Sequence, residues 1–374
     1  MEKKVNSEHA EPSLENLTLD DVEIRLANKE TGPYAMKVQN EELLETLRDI
    51  VLSHWQIPDN KEVYFPAPQP VSLERRDLDK LIDYEYLVCA KSDGMRFLLV
   101  CYSGHSYMVD RAFKFYKVKL NFKETLLYIS EDTIGKLGGI FDGELVCNKK
   151  GKWQYVMHDC INIYGKDISK NIFPARYSEI TKLIADYFIS AGSEFRLTGK
   201  QFFNFKQLDM LIKLINENKL DHKTDGLIFT PKNKKVGSHT QYDLFKWKPR
   251  NLHTFDFKIV KNVYHGDPKT SKEPIIAFTA YVNKNGVHIP YCAVEAGTTE
   301  EHIFTQGLAE NCPEFTNNCI VECDYDDEAD TYKPIKIRND KTHPNSFYTV
   351  KKTLGNIKEN ITIEELIDLG NPSD

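Results

Sequence analysis

Lys91 stands at the end of an apolar run, Tyr86-Leu87-Val88-Cys89-Ala90, and opens the hexapeptide Lys91-Ser92-Asp93-Gly94-Met95-Arg96. A lysine at a strand end, followed by a turn and an arginine, is a way to aim an amine at a phosphate. An ordinary lysine is protonated at neutral pH and attacks nothing. Burial and neighbouring positive charge both favour the neutral, nucleophilic amine. Taken alone, the hexapeptide also fits a surface lysine before an Asp-Gly turn.

Four further segments place charge beside apolar runs. In Ile140-Phe141-Asp142-Gly143-Glu144-Leu145-Val146 the carboxylates interrupt a strand-like stretch, which is costly unless they are paired or hold a metal. Asp225-Gly226 precedes Leu227-Ile228-Phe229, where it also fits an ordinary turn. In Lys246-Trp247-Lys248, strand alternation puts the two lysines on one face and the indole on the other. The last is Arg338-Asn339-Asp340-Lys341. Each segment alone fits a turn or a solvated face. Together they match a phosphoryl-handling pocket, in which cations hold phosphates and carboxylates hold a divalent metal.

The elements that position these groups follow from apolar spacing. Leu43, Leu44, Leu47, Ile50 and Val51 predict a helix over 41–53, and Pro66, Pro68 and Pro70 an extended connector. Short β-type runs fill 84–160. Helical spacing returns over 178–189 and 207–215, and strands resume at Gly226-Leu227-Ile228-Phe229 and Asp243-Leu244-Phe245. Residues 251 to about 340 read as all-β, at a spacing that suits a small barrel. Thr362 and Glu365 form a capping box ahead of Ile363, Leu366, Ile367 and Leu369, which predicts a closing helix.

The chain has 374 residues, 41% hydrophobic and 28% charged, which suits a folded protein of about two domains. No apolar run reaches membrane-spanning length, and the N-terminal stretch lacks a secretory core, so an intracellular protein with no membrane partner is expected. A net charge of −7 argues against nonspecific coating of nucleic acid and leaves room for a local basic groove. The eight cysteines follow no metal-binding spacing and read as reduced structural thiols.

The order KxDGxR, DGE, DGL, KxK, RxDK resembles the covalent nucleotidyltransferases, namely mRNA capping guanylyltransferases and ATP-dependent polynucleotide ligases. The finer resemblance is to small stand-alone viral capping enzymes such as that of chlorella virus. It is carried by Pro70-Val71-Ser72-Leu73-Glu74-Arg75, His253-Thr254-Phe255-Asp256-Phe257, Ile320-Val321-Glu322-Cys323 and the segment from Lys352 to Ile363. It runs from about residue 65 to the C-terminus.

The resemblance implies an α+β fold in three parts. Residues 1–250 would form a nucleotidyltransferase domain of antiparallel sheets flanked by helices, with about the first 30 residues flexible. Residues 251–342 would form an OB-fold β-barrel, and 343–374 a segment and helix packing back on the first domain. It implies that Lys91 attacks the α-phosphorus of GTP, releases pyrophosphate and passes GMP to a 5′-diphosphate RNA end. Asp225, Lys246 and Lys248 would serve that chemistry. Ser92, Arg96, Arg111, Glu144, His158, Lys200, Ile228, Arg338, Asp340 and Lys341 would bind GTP. Glu144 is matched to the ribose hydroxyls, Ile228 to the base and Lys200 to guanine O6. His158 stands where the family often has phenylalanine, and Ser92 where capping enzymes usually have threonine. Asp225 and Glu144 would hold Mg²⁺ or Mn²⁺. The RNA triphosphatase and the cap methyltransferase would be separate chains, since the sequence shows no motif for either. The location would be the nucleus for a cellular source, and a cytoplasmic viral factory or the nucleus for a viral one. A ligase using ATP and an inactive RNA-binding relative are the alternatives.

Overall fold

The computed structural model describes residues 22–27, 30–57, 65–123, 127, 133–264, 275–294, 297–339 and 341–371. Asp340 and most of the first 30 residues lie outside them. The architecture is α+β and divides into two compact units. The first comprises Met1–Val71, Lys80–Lys246 and Gly370–Asp374; the second comprises Ser72–Asp79 and Trp247–Leu369.

The first unit is built on two sheets. The larger, with nine described strands, runs Val22–Arg25, Tyr34–Lys37, Phe115–Val118, His105–Val109, Met95–Tyr102, Leu137–Cys147, Trp153–Ile163 and Lys166–Asp167, with Arg196–Gly199 parallel to Trp153–Ile163. Both of its faces are covered, which is why its strands read as continuous apolar runs rather than alternating ones. Along Met95–Tyr102, Phe97, Leu99 and Cys101 enter one core, with Ile180 and Leu183 of the helix Phe173–Asp186. Leu98 and Val100 enter the other, with Leu47 and Val51 of the helix Glu41–His54. Asn40 caps the latter helix by accepting a hydrogen bond from the Leu43 N–H at 2.8 Å.

The smaller sheet orders Phe203–Asn204, Tyr86–Ser92, Thr224–Pro231, Thr240–Trp247 and Gln69–Ser72. Tyr86–Ser92 and Met95–Tyr102 are consecutive in the chain yet belong to different sheets, so the Asp93-Gly94 turn carries the backbone from one to the other. A Cβ on Gly94 would lie 2.5 Å from Val146 Cγ1 and 2.6 Å from the Leu145 carbonyl oxygen. Only glycine fits this crossing.

The second unit holds a five-stranded antiparallel sheet in the order Val287–Val294, Ile275–Lys284, Phe255–Tyr264, Ile320–Asp326, Thr331–Ile337. A helix, Thr299–Asn311, lies between its third and fourth strands in chain order. This connectivity is consistent with an OB-fold. Phe255, Phe257, Phe278, Phe304 and Val321 form the centre of its core.

Three sequence expectations need correction. The helix expected over 178–189 spans Phe173–Asp186, with Pro174 in its first turn. Phe188–Ile189 is instead a strand paired with Asn121–Phe122, where the Phe188 and Phe122 rings pack edge to face at 5.8 Å. Residues 251–340 are not all-β, because Thr299–Asn311 is helical; Thr298 accepts from the Glu301 N–H at 3.2 Å, a capping signal present in the sequence. The closing helix is two helices, Phe347–Glu359 and Ile363–Gly370, and the Thr362–Glu365 cap belongs to the second. All eight cysteines are free thiols. Among the described residues no helix is long and apolar enough to cross a membrane.

Candidate active site

A cleft opens in the first unit, and it is lined from both sheets. Cys89, Lys91, Ser92, Ile228 and Thr230 come from the smaller sheet; Arg96, Asp142, Glu144, His158 and Asp159 come from the larger. Lys200, Arg111, Arg176, Lys234 and Lys235 add further cations, and Phe173 and Phe202 an aromatic wall, their rings edge to face at 4.9 Å. Seven lysines and arginines line it against three carboxylates, so a locally cationic groove exists in a chain of net charge −7. A concave site with convergent charge of this kind suits a polyanionic ligand.

Two β-bulges aim the chemistry. Thr224 pairs with Ser92 and Leu227 with Ala90, so Asp225 and Gly226 together face Lys91. Gly226 has φ 147°, a region side chains rarely occupy. The bulge brings the Asp225 carboxylate onto the amine: Lys91 Nζ donates to Asp225 Oδ1 at 2.7 Å. Asp225-Gly226 is therefore not a lead-in to the strand but an irregularity inside it. The second bulge lies between Met157 and Asp159, opposite Gly143 and Asp142. Regular alternation would send neighbouring side chains to opposite faces, but here His158 and Asp159 both line the cleft.

Asp142 answers the question its sequence raised. It is 1% exposed and takes a bidentate pair from Arg96, at 2.9 and 2.5 Å, while His158 Nε2 lies 3.3 Å from its Oδ1. Burial alone would raise its carboxyl, but Arg96 and His158 outweigh that and hold it well below the usual carboxylate range. Arg96 also donates to the Pro68 carbonyl at 2.8 Å, so its guanidinium is locked in place. A second buried pair, Arg176 on Asp159 with both bonds at 2.8 Å, braces the same wall. Burial and the Arg96 charge lower Arg111; burial, then the Lys91 charge, lower Lys200.

The structure thus brings Lys91, Ser92, Arg96, Arg111, Glu144, His158, Lys200 and Ile228 to one cleft, with Asp225 on Lys91. Among the described residues, Lys246, Lys248, Arg338 and Lys341 are not part of its lining. Lys246 ends the first unit, on the strand Thr240–Trp247, and Lys248 belongs to the second. Arg338 and Lys341, in the second unit, are held by acidic groups: Arg338 on Asp256 at 3.0 Å and on Glu322 at 3.1 Å, and Lys341 on Asp256. Sequence reasoning missed Arg176, Phe173, Phe202, Lys234 and Lys235 as lining residues. Of these, only the lysine-rich run after Pro231 carried a local signal.

The described residues contain no group of three or more histidine, cysteine or acidic side chains placed to hold a metal. Glu144 and Asp225 are hard oxygen donors, and Mg²⁺ is commonly held by one or two carboxylates plus substrate phosphates, so this donor set fits such an ion.

Residues 31–250 match the family model for the catalytic domain of mRNA capping enzymes, and 252–367 match the model for their C-terminal domain. The chain belongs to the mRNA capping enzyme family. It is a nucleotidyltransferase, an mRNA guanylyltransferase. The mRNA-capping enzyme subunit alpha of Candida glabrata is 28% identical over 363 residues, covering 81% of this chain and 80% of the relative. That of Saccharomyces cerevisiae is 28% identical over 367 residues, covering 82% and 78%. A solved structure of mycobacterial DNA ligase D complexed with ATP and MES aligns with 74% of this chain and 96% of its own, at 12% identity and a TM-score of 0.40. Both capping-enzyme domains match in order, which favours guanylyl transfer over the ligase alternative.

Proposed function

We propose that Lys91 is the nucleophile of this capping enzyme. Its Nζ attacks the α-phosphorus of GTP, an N–P bond forms, the bond from that phosphorus to the bridging oxygen breaks, and pyrophosphate leaves. Asp225, at 2.7 Å from Nζ, is the acceptor for the amine proton. An oxygen of a 5′-diphosphate RNA end then attacks the same phosphorus, the N–P bond breaks, and Lys91 recovers its proton. The observation that carries this reading is the lysine–aspartate pair set in a cationic cleft.

The cleft residues take roles that suit their place in it, and Lys246, Lys248, Arg338, Asp340 and Lys341 take the roles that the family resemblance implies. Ile228, Phe173 and Phe202 provide apolar surface for the base, and Lys200 with Ser92 reads its edge. Glu144 meets the ribose hydroxyls, and Arg111 and Arg96 stabilise phosphate charge. Lys246 and Lys248 contact the α-phosphate. Arg338, Asp340 and Lys341 engage the departing pyrophosphate, for which Arg338 and Lys341 exchange their carboxylate partners for phosphate. Asp225 and Glu144 would hold Mg²⁺ or Mn²⁺, which supplies Lewis-acid charge neutralisation when bound. The chain would work with a separate RNA triphosphatase and cap methyltransferase, in the nucleus or the cytoplasm.

The test is incubation with GTP or ATP labelled at the α-phosphate, followed by denaturing electrophoresis. Label from GTP on Lys91 is expected. Preferential label from ATP would establish the ligase chemistry, and no label from either would establish the inactive relative.

A further inference from the structure

We infer that His222, held by Asp221, sets the hydrogen-bond polarity of the base-reading wall of the cleft and thereby its choice of guanine over adenine. The inference rests on reading the cleft as a guanine nucleotide site.

Ser92 and Lys200 are 1% and 7% exposed and form part of the cleft wall. Lys200 Nζ donates to Ser92 Oγ. Ser92 Oγ lies 2.7 Å from His222 Nε2 on its far side. His222 Nδ1 lies 2.7 Å from Asp221 Oδ1, and Gln154 Nε2 donates to that same oxygen at 2.9 Å. His222 and Asp221 line a separate cavity behind the wall, to which Lys200 also contributes.

The polarity of this line follows from which of its atoms can donate and which can accept. Burial would raise the Asp221 carboxyl, but its hydrogen bonds from His222 and Gln154 hold it below its ordinary value, so it is an acceptor only. His222 Nδ1 must therefore carry a hydrogen. Burial, joined by the Lys200 charge, lowers the imidazole despite its bond to Asp221, which favours the neutral ring with Nε2 an acceptor. Lys200 Nζ donates to Ser92 Oγ, so Ser92 accepts there and its own hydrogen goes to Nε2. Ser92 is then left with a lone pair, and Lys200 with N–H groups beyond the one given to Ser92.

A wall with a donor beside an acceptor complements guanine, whose O6 accepts and whose N1–H donates. Adenine presents the reverse, an amino donor at position 6 and an acceptor at N1, so both of its contacts would be repulsive. Rejection by mispaired polar groups is the strong form of discrimination. Without an acceptor at position 222, the Ser92 hydroxyl is released to turn and donate to adenine N1.

The experiment measures covalent labelling rates with α-labelled GTP and ATP for the wild type, His222→Phe, His222→Gln and Asp221→Ala, with thermal melts to establish folding. His222→Phe is expected to lower the GTP-to-ATP ratio by about tenfold or more. His222→Gln, whose side-chain oxygen can accept from Ser92, is expected to stay within about threefold of wild type. Asp221→Ala frees the tautomer and shifts the ratio in the direction of His222→Phe; its side chain is 58% exposed, so it tests the inference even if His222→Phe fails to fold. An unchanged ratio in Asp221→Ala and in folded His222→Phe would overturn the inference, since a merely structural role leaves nucleotide preference alone. A wild type that prefers ATP would instead overturn the guanylyltransferase reading beneath it.

Discussion

Lys91 and Asp225 meet at 2.7 Å across a bulge between two adjacent antiparallel strands, Tyr86–Ser92 and Thr224–Pro231. The pair is about one-fifth exposed, open enough for a substrate to reach the amine. Lys91→Ala is expected to abolish covalent GMP and leave the circular dichroism spectrum unchanged. Asp225→Asn keeps the shape but loses the charge, and should slow labelling by about 10²–10⁴-fold, as for a lost acid–base group. Full labelling of Lys91→Ala would refute the nucleophile assignment.

Gly94 is required by close approach. Gly94→Ala forces a methyl against Val146 Cγ1 and the Leu145 carbonyl. Overpacking of this kind costs about 1–3 kcal/mol, and here it also displaces the turn between Lys91 and Arg96. A lower urea midpoint and slower GMP labelling are expected together. Wild-type behaviour in both would show that the two sheets separate easily at this crossing.

Asp142 ties Arg96 to the wall. Asp142→Ala leaves a buried guanidinium without its carboxylate, at a cost of about 3–5 kcal/mol in chemical denaturation. The pH dependence has a definite sign. The folded carboxyl is held below its unfolded value of about 3.9, so its contribution is complete above that pH and is lost as pH falls below it. The stability gap between wild type and Asp142→Ala should persist from pH 8 down to 5 and narrow below about pH 4. A gap that narrows already near neutrality would contradict the pairing.

Asp256 is the corresponding anchor in the second unit: 5% exposed, it accepts from Arg338 at 3.0 Å and from Lys341. Asp256→Ala should destabilise that unit by about 3–5 kcal/mol. Differential scanning calorimetry would show this as a lowered transition, and an unshifted transition would mean that the cations find other partners at no loss.

The charged groups of the cleft stood out in the chain. Lys91, Arg96, Asp142, Glu144 and Asp225 each place charge beside an apolar run, where it needs a partner or a ligand, and the structure brings them together. Apolar spacing likewise announced the helix Glu41–His54 and the strands around the cleft, since one face of a helix and both faces of a covered strand must leave water. The helix Thr299–Asn311 escaped because its apolar side chains form no clean stripe, and only its Thr298 cap gave a local sign.

Tertiary structure alone decided how those groups face one another. No local pattern shows that consecutive strands enter different sheets at Gly94, that one extra residue at Asp225-Gly226 turns a carboxylate onto Lys91, or that another at His158 sends two neighbouring side chains to the same cleft. Nor does spacing reveal that Ser92 forms one hydrogen-bonded line with the adjacent His222 and Asp221, some 130 residues further along. Propensity and periodicity act within a few residues, so the sequence names the groups. Pairing register and the proton each atom must carry depend on contacts between distant segments, and these exist only once the chain has folded.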